Sequence, residues 1–254
     1  MKKPSTSVKI YIGLVVGLAV LAAMNVFLPQ GAFVPIQPLP APKPLFAFAV
    51  ASIMLLVYGG LGLVGLKLSH RLGFADLWST AISVRQRLLI PALIGATLGV
   101  FFVLADASLS KFHTLGPIPH PPLPTSIVAS ASAAIGEELI FRLFFISFWV
   151  WFVYDIVLKR KWQNQIFWIV AVGSAFAFAM AHLPSIMFLF GLKTISDVPL
   201  ALMSEIILLN GLLSIVAAYY FKTYGFLSAV SIHFWADVVW HVIWGALSSG
   251  RQFT

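Results

Sequence analysis

The side chains of this chain that are best suited to chemistry are ionisable residues within long apolar segments. They are Glu137, Glu138, Arg142, His182, Glu205, His233, Asp237 and His241. Carboxylates and imidazoles can hold and deprotonate a water molecule, relay protons or bind a metal ion. Because ionisable groups are costly inside a membrane, each of these positions is a candidate for function.

Two adjacent glutamates precede an arginine in the fourth apolar segment. Glu138 and Arg142 are four residues apart, in the acid-before-base order that favours an ion pair on one helix face. Glu137 points about 100° away from that face. The spacing therefore predicts that Glu138 is neutralised within its own helix and that Glu137 is free for chemistry. A purely structural role for the Glu138–Arg142 pair is an equal alternative.

A second set of ionisable residues shares one helix face in the last apolar segment. His233, Asp237 and His241 follow one another at intervals of four residues, which places them on a single stripe. A lone histidine in a membrane bundle is often only hydrogen-bonded to a neighbouring helix. A histidine–aspartate pair, together with a distant glutamate and histidine, favours a functional site. We expect His241 to have a supporting role at most.

Two further ionisable residues lie near the predicted ends of helices. His182 is two residues before Pro184, and since proline disfavours helical backbone in the preceding residue, the helix is expected to end there. Glu205 lies only a turn or two inside the sixth segment and is expected to reach the interface or pair with a loop cation. His113 and His120 fall in loops and indicate little.

The elements that carry these residues are predicted to be membrane-spanning helices. The chain is 60% hydrophobic and 9% charged, whereas soluble domains are about 25% charged. A helix needs about 20 mostly apolar residues to cross a bilayer. The apolar blocks are 8–28, 45–66, 88–105, 125–154, 165–182, 199–221 and 225–247. With residues 183–191 as a re-entrant turn or the stub of an eighth helix, the sequence predicts an all-α polytopic transmembrane bundle of seven to eight spans.

We predict two parts along the chain. Residues 1–124 form N-terminal transmembrane helices with proline-rich loops, and residues 125–254 form a helical core that carries the candidate site. Small side chains dominate residues 129–136, and because small residues let helices approach closely in lipid, this helix is expected to be central. Proline clusters at residues 35–44 and 117–124 indicate stiff, extended connectors.

Loop charge predicts how the bundle is oriented. With a cytoplasmic N-terminus, the basic residues on the cytoplasmic side are Lys2, Lys3, Lys9, Lys67, Arg71, Arg85, Arg87, Lys159, Arg160, Lys161 and Lys222. Those on the opposite side are Lys43, Lys111, Lys193 and Arg251. Because cytoplasmic loops carry an excess of Lys and Arg, we predict a multi-pass protein of the cell membrane with its N-terminus in the cytoplasm. Loop charge that sets the topology is favoured over nucleic-acid binding, so the lipid bilayer is expected as a partner and a nucleic acid is not.

Three motifs occur in order within the apolar helices. Residues 137–142 have the form Glu-Glu-x-x-x-Arg, residues 178–182 the form Phe-x-x-x-His, and residues 233–237 the form His-x-x-x-Asn/Asp. In this order and spacing the chain resembles the CAAX prenyl endopeptidase and bacteriocin-processing (CPBP, or Abi) family of intramembrane glutamic endopeptidases. The resemblance covers about residues 125–247.

The resemblance implies a role for each residue of the first two motifs. Glu137 would be the catalytic glutamate and would activate a water molecule together with His182, while Glu138 and Arg142 would form a supporting pair. Glutamate, histidine and aspartate can also bind zinc, but the resemblance and the two adjacent glutamates favour a water held by Glu137 and His182. We therefore predict no metal and no other cofactor.

The third motif implies stabilisation of an oxyanion by His233 and Asp237. The family commonly has asparagine at the position of Asp237, and an amide can donate a hydrogen bond at any pH. Asp237 has two alternatives: a protonated carboxyl that donates in the same way, or an ionised carboxylate that orients His233. The first is preferred, because a free carboxylate is costly at this depth.

The predicted function is hydrolysis of a peptide bond in a membrane-associated or lipidated protein or peptide. One alternative is a bacteriocin immunity or binding protein that needs no catalysis, since some relatives are linked to self-immunity. Another is a proton-coupled transporter, because buried glutamate and histidine can relay protons. The sequence shows no inverted repeat of the kind that many transporters have, so the protease is favoured.

Overall fold

The computed structural model describes residues 5–31 and 41–249, and this part of the chain is helical with no strand. Seven helices are long and apolar enough to span a membrane. They are α1 (Thr6–Asn25), α2 (Lys43–Arg71), α3 (Arg85–Phe112), α4 (Thr125–Val157), α5 (Gln163–Leu189), α6 (Leu200–Tyr224) and α7 (Phe226–Ser248). The predicted all-α transmembrane bundle is confirmed, with seven spans among the described residues.

The fifth helix is longer than the sequence predicted. It runs through Pro184 to Leu189, so the expected end at His182 was wrong, and so was a separate re-entrant turn or eighth stub at residues 183–191. Pro184 removes one backbone hydrogen bond, which membrane helices tolerate where neighbouring helices pack against them. Leu183 and Ile186 are buried in such a contact with the start of α6, and this packing keeps the last turns helical.

The fourth helix lies at the centre of the bundle, as its small side chains predicted. It contacts α1, α2, α5, α6 and α7. Ala134 has no exposed surface, and Leu139, Leu143 and Ile146 are fully buried one to three turns further along. The backbone is π-helical over Leu139–Ile146, directly after the two glutamates. Residues placed on α4 can therefore meet side chains from several helices.

Two glycines of α3 determine how closely α7 approaches. A β-carbon at Gly95 would clash with the carbonyl oxygen of Ile232, and one at Gly99 would lie 2.6 Å from that of Ala236. Small residues of this kind let helix backbones come together in lipid. Because Ile232 and Ala236 each precede a candidate catalytic residue, α3 fixes the position of the site residues on α7.

The helix ends lie in two layers. On one side, Ser7 donates to Asp76 at 2.7 Å and Gln163 donates to the carbonyl of Leu72 at 2.7 Å. The first bond joins the N-terminal end of α1 to the α2–α3 loop, and the second joins the start of that loop to the start of α5. On the opposite side, the hydroxyl of Thr125 donates to the carbonyl of Pro29. The second proline cluster lies in this second layer, while Pro35, Pro38 and Pro40 of the first fall outside the described residues.

Candidate active site

The four predicted catalytic side chains come together from three helices. The Oε2 atom of Glu137 on α4 is 3.8 Å from Nε2 of His182 on α5 and 3.8 Å from Nε2 of His233 on α7. Oδ2 of Asp237 is 3.6 Å from the same Nε2 of His233. Residues separated by up to 100 positions in the sequence thus form one cluster.

Glu137 is the more exposed of the two adjacent glutamates, and its Oε2 atom is buried without a hydrogen-bond partner among the described residues. Its side chain is 35% exposed, against 0% for Glu138. The distances of 3.8 Å to the two imidazoles exceed the usual hydrogen-bond length of about 2.7–3.2 Å. Atoms at this separation can instead share a bridging water molecule. Glu137 and His182 are therefore spaced to hold one water between them.

A backbone contact fixes the hydrogen-bonding role of His182. Its Nδ1 atom lies 2.8 Å from the carbonyl oxygen of Phe178, one turn earlier on α5. A carbonyl only accepts, so Nδ1 carries the proton, and in the neutral ring Nε2 is left with a lone pair. That lone pair is on the atom that faces Glu137. The phenylalanine–histidine spacing thus presents a proton acceptor to the site.

Glu138 contacts two partners. Its Oε2 atom is 3.0 Å from Nε of Arg142, which is the predicted ion pair, and both side chains have no exposed surface. Its Oε1 atom is 2.9 Å from Nδ1 of His233. The second contact was not predicted, because 95 residues separate the partners and no local pattern indicates it. Glu138 is thus placed to orient His233, and Asp237 lies at the opposite nitrogen of the ring.

Phe178 connects the supporting pair to both histidines. The guanidinium of Arg142 stacks over its ring at 4.5 Å from the centroid. The rings of His182 and His233 meet it edge-on, with centroids 4.8 Å and 5.9 Å away. A cation over an aromatic face and edge-on ring contacts are both favourable. The phenylalanine of the second motif therefore fixes the distance between the two imidazoles.

A cavity of about 270 Å³ leads from this cluster to the proline-rich loop. Its lining includes Glu137, His182, His233 and Asp237, together with Ile118 and Pro121 of that loop. Pockets that bind small ligands have about 300–1,000 Å³, so the cavity has room for a short peptide segment and not for a folded domain. The cluster can be reached from the side of the molecule on which this loop lies.

Two histidines that were not predicted to be catalytic meet beside this cavity, which His241 lines. Nδ1 of His120, in the proline-rich loop, is 3.0 Å from Nδ1 of His241 on α7. Burial lowers the pKa of His120 to about 4, so its imidazole is neutral at physiological pH. The ring of His120 also packs edge-on against Trp240, at 4.8 Å between centroids. The pair fastens the loop to α7, a role consistent with the supporting part expected of His241.

Glu205 does not behave as the sequence predicted. Its side chain has no exposed surface, so it neither reaches the interface nor pairs with a loop cation. It faces the buried carboxyl group of Asp106 on α3, which in turn accepts the backbone N–H of Ile118 at 3.0 Å. The prediction failed because the start of α6 packs against α3 and the proline-rich loop, a contact that no local pattern indicates.

Comparison with known proteins bears on the part of the chain that carries this cluster. Residues 119–239 match a family model described as type II CAAX prenyl endopeptidase Rce1-like. This match supports the CPBP family for the region that carries the cluster. The match begins in the proline-rich loop and ends just after Asp237, and it includes all the residues of the three motifs. No curated protein and no solved structure matches the chain significantly.

The family-model match confirms the resemblance drawn from the three motifs. It implies a CAAX-type protease, which is a hydrolase, and a membrane-associated protein as its substrate. The family region and the seven apolar helices together indicate an integral membrane protein. The matched segment extends from the loop before α4 into α7, so it spans every helix that contributes a side chain to the cluster.

Proposed function

We propose that the protein is an intramembrane, glutamate-dependent endopeptidase in which Glu137 and His182 activate the attacking water. The observation that supports this most directly is the position of the Glu137 Oε2 atom, 3.8 Å from Nε2 of His182, whose Nδ1 atom lies against the carbonyl oxygen of Phe178. A carboxylate and an imidazole at this spacing can accept the two hydrogens of one water. The substrate is a membrane-associated or lipidated protein or peptide that reaches the cluster within the bilayer.

The proposed reaction forms one bond and breaks one. The oxygen of the water attacks the carbonyl carbon of the peptide bond, and its proton passes to Glu137. The resulting oxyanion is stabilised by donors aimed at it, here Nε2–H of a doubly protonated His233 and the protonated carboxyl of Asp237. Collapse of the tetrahedral intermediate breaks the C–N bond, and Glu137 returns the proton to the leaving amine. No metal or other cofactor takes part in these steps.

The contact between Glu138 and His233 favours one of the two alternatives for Asp237. An orienting carboxylate acts through Nδ1 of the histidine, and Glu138 already occupies that atom at 2.9 Å. Asp237 lies at Nε2 instead, 3.6 Å away and on the side of Glu137. This position suits a donor to the oxyanion.

Replacement of Asp237 by asparagine is therefore expected to preserve substantial activity. The amide donates as the protonated carboxyl does, and it has no proton to lose, so the variant should lose less activity than wild type as the pH rises. The measurement is a pH–rate profile of the purified variant beside wild type. A well-folded Asp237→Asn protein without activity at any pH would show that Asp237 acts as an ionised orienting group.

We propose further that the N-terminus is cytoplasmic and that the protein resides in the cell membrane. Lys67, Arg71 and Lys161 lie in the same layer as the start of α1, while Lys2, Lys3 and Arg251 fall outside the described residues. The chain contains no cysteine, so single-cysteine variants need no background removal. We expect Lys161→Cys to be protected from an impermeant maleimide in intact cells and Thr114→Cys to be labelled. Labelling of both from the outside would contradict this orientation.

The proposed function is tested by comparing the peptides cleaved in cells that carry wild type with those in cells that carry Glu137→Gln. A set of membrane-associated proteins that is cleaved only with wild type would support the protease. A cellular phenotype that survives Glu137→Gln, with no difference in cleaved peptides, would support the non-catalytic immunity or binding alternative.

A further inference from the structure

One face of α4 forms a polar track that leads from the proline-rich loop to the catalytic cluster. Ser126, Ala129, Ser130 and Ala133 line the cavity in succession and end at Glu137. Their spacing of three and four residues keeps them on one helix face. The remaining lining of this track is mostly apolar, including Ile206, Leu209 and Leu213 of α6. The track has small side chains on the α4 side.

The two serines of this track are buried without a hydrogen-bond partner. Ser126 is 1% exposed and Ser130 2% exposed, and neither Oγ atom has a partner among the described residues. Serine in a helix ordinarily donates to the carbonyl four residues earlier. Ser132 of the same helix does so, to Val128 at 2.8 Å. The hydroxyls of these two cavity-lining residues therefore differ from that of Ser132 in lacking this bond.

A buried polar group without a partner is costly, so a cavity lined by two residues that carry such groups suits a ligand that supplies both donors and acceptors. An extended peptide has one N–H and one C=O for every residue except proline, and inside a membrane each of these groups must be paired. Ser126 and Ser130 are about one helix turn apart, roughly 6 Å along the axis, which is close to the distance covered by two residues of an extended chain.

We propose that Ser126 and Ser130 form a subsite that hydrogen-bonds the main chain of the substrate as it extends from Glu137 toward the proline-rich loop. The subsite recognises the peptide backbone and not a particular side chain. Asn210 of α6 lines the same cavity, and its amide N–H is bonded to the carbonyl of Ile206 at 3.0 Å, which leaves its side-chain oxygen as an acceptor for a substrate N–H. The inference rests on the proposed peptidase function.

The chain offers matched controls for this subsite. Ser147 on α4 and Ser214 on α6 have no exposed surface, and their Oγ atoms also lack partners among the described residues. Neither lines the cavity. Serine-to-alanine changes at all four positions remove the same kind of buried, unpartnered hydroxyl, so they should have similar effects on the unfolding temperature. Only the changes at the cavity should affect binding of the substrate.

The test uses the purified full chain and a quenched fluorogenic peptide that carries a prenylated cysteine. We expect Ser126→Ala and Ser130→Ala each to raise KM about threefold to tenfold with little change in kcat, because a hydrogen bond made equally in the ground and transition states affects binding alone. Ser147→Ala and Ser214→Ala should leave KM unchanged. An ester in place of one backbone amide should raise KM for wild type but not for the Ser126→Ala/Ser130→Ala double variant.

Unchanged KM in the double variant, with wild type active, would overturn the subsite and leave the peptidase intact. So would a loss of unfolding temperature in the cavity variants well beyond that of the controls, since the hydroxyls would then be structural. If wild type cleaves no peptide, the proposed function fails instead. In that case, binding of the same peptide to Glu137→Gln, with and without the serine changes, still decides whether the track holds a peptide main chain.

Discussion

Replacement of Glu137 by glutamine is expected to abolish turnover and to leave the fold intact. Glutamine has almost the same shape as glutamate but cannot accept the proton of a water molecule. A positioned general base contributes about 10²–10⁴-fold to a rate, so kcat should fall by about 10³-fold or more. The side chain is 35% exposed, and its two neighbouring imidazole nitrogens are 3.8 Å away, so the variant should lose no tight contact. Initial rates and thermal unfolding in the same detergent measure the two effects.

The same assay distinguishes a glutamate-held water from a metal-bound one. Glu137 and His182 hold the water directly in the proposed mechanism, so wild-type activity should survive prolonged treatment with EDTA or phenanthroline. Stoichiometric zinc that is lost together with activity, and restores it when added back, would assign the cluster to a metal instead. A Glu137→Gln protein that keeps turnover at the wild-type rate would rule out Glu137 as the base.

The helices and the helix faces that the candidate residues share could be predicted because both depend on local patterns. Apolar blocks indicate membrane spans directly, because a helix that crosses the hydrocarbon core needs about 20 mostly apolar residues. A spacing of four residues indicates a shared helix face, and it relates Glu138 to Arg142 and His233 to Asp237. These patterns placed the ion pair of 3.0 Å correctly.

Contacts between distant helices could not be predicted in this way. The hydrogen bond between Glu138 and His233 depends on how α7 packs against α4. This packing depends in turn on the close backbone contact at Gly95 and Gly99 of α3. The meeting of His120 with His241 depends likewise on the path of the proline-rich loop. A single sequence carries no periodic signal for such contacts, because their partners belong to different elements.

Local rules also failed where tertiary packing opposed them. Pro184 was expected to end α5, but the burial of Leu183 and Ile186 against α6 stabilises the helix beyond it. Glu205 was expected near the interface because it lies early in its segment, yet it is fully buried facing Asp106. In both cases the burial of neighbouring side chains outweighs a preference of the residue itself.

The largest loss of stability is expected from Glu138→Gln. Glu138 and Arg142 have no exposed surface and are 3.0 Å apart, so removal of the carboxylate leaves a buried cation without its counter-charge. Breaking one partner of a buried ion pair costs about 3–5 kcal/mol. The variant should therefore give a low folded yield and a lower unfolding temperature. Its activity should also fall, because the amide oxygen can still accept from Nδ1 of His233 but the negative charge beside that ring is lost.

A double variant separates these two effects of Glu138. Replacing a buried ion pair by apolar side chains of similar volume is often neutral or stabilising, so Glu138→Met/Arg142→Met should fold better than either Glu138→Gln or Arg142→Met. Activity should be absent, because methionine cannot accept the proton on Nδ1 of His233 and the ring is no longer held toward Glu137. Unfolding temperature and kcat of the three variants, measured side by side, test both statements. Recovery of activity together with stability in the double variant would show that Glu138 serves the fold alone, whereas a stable and inactive protein would establish it as the residue that positions His233.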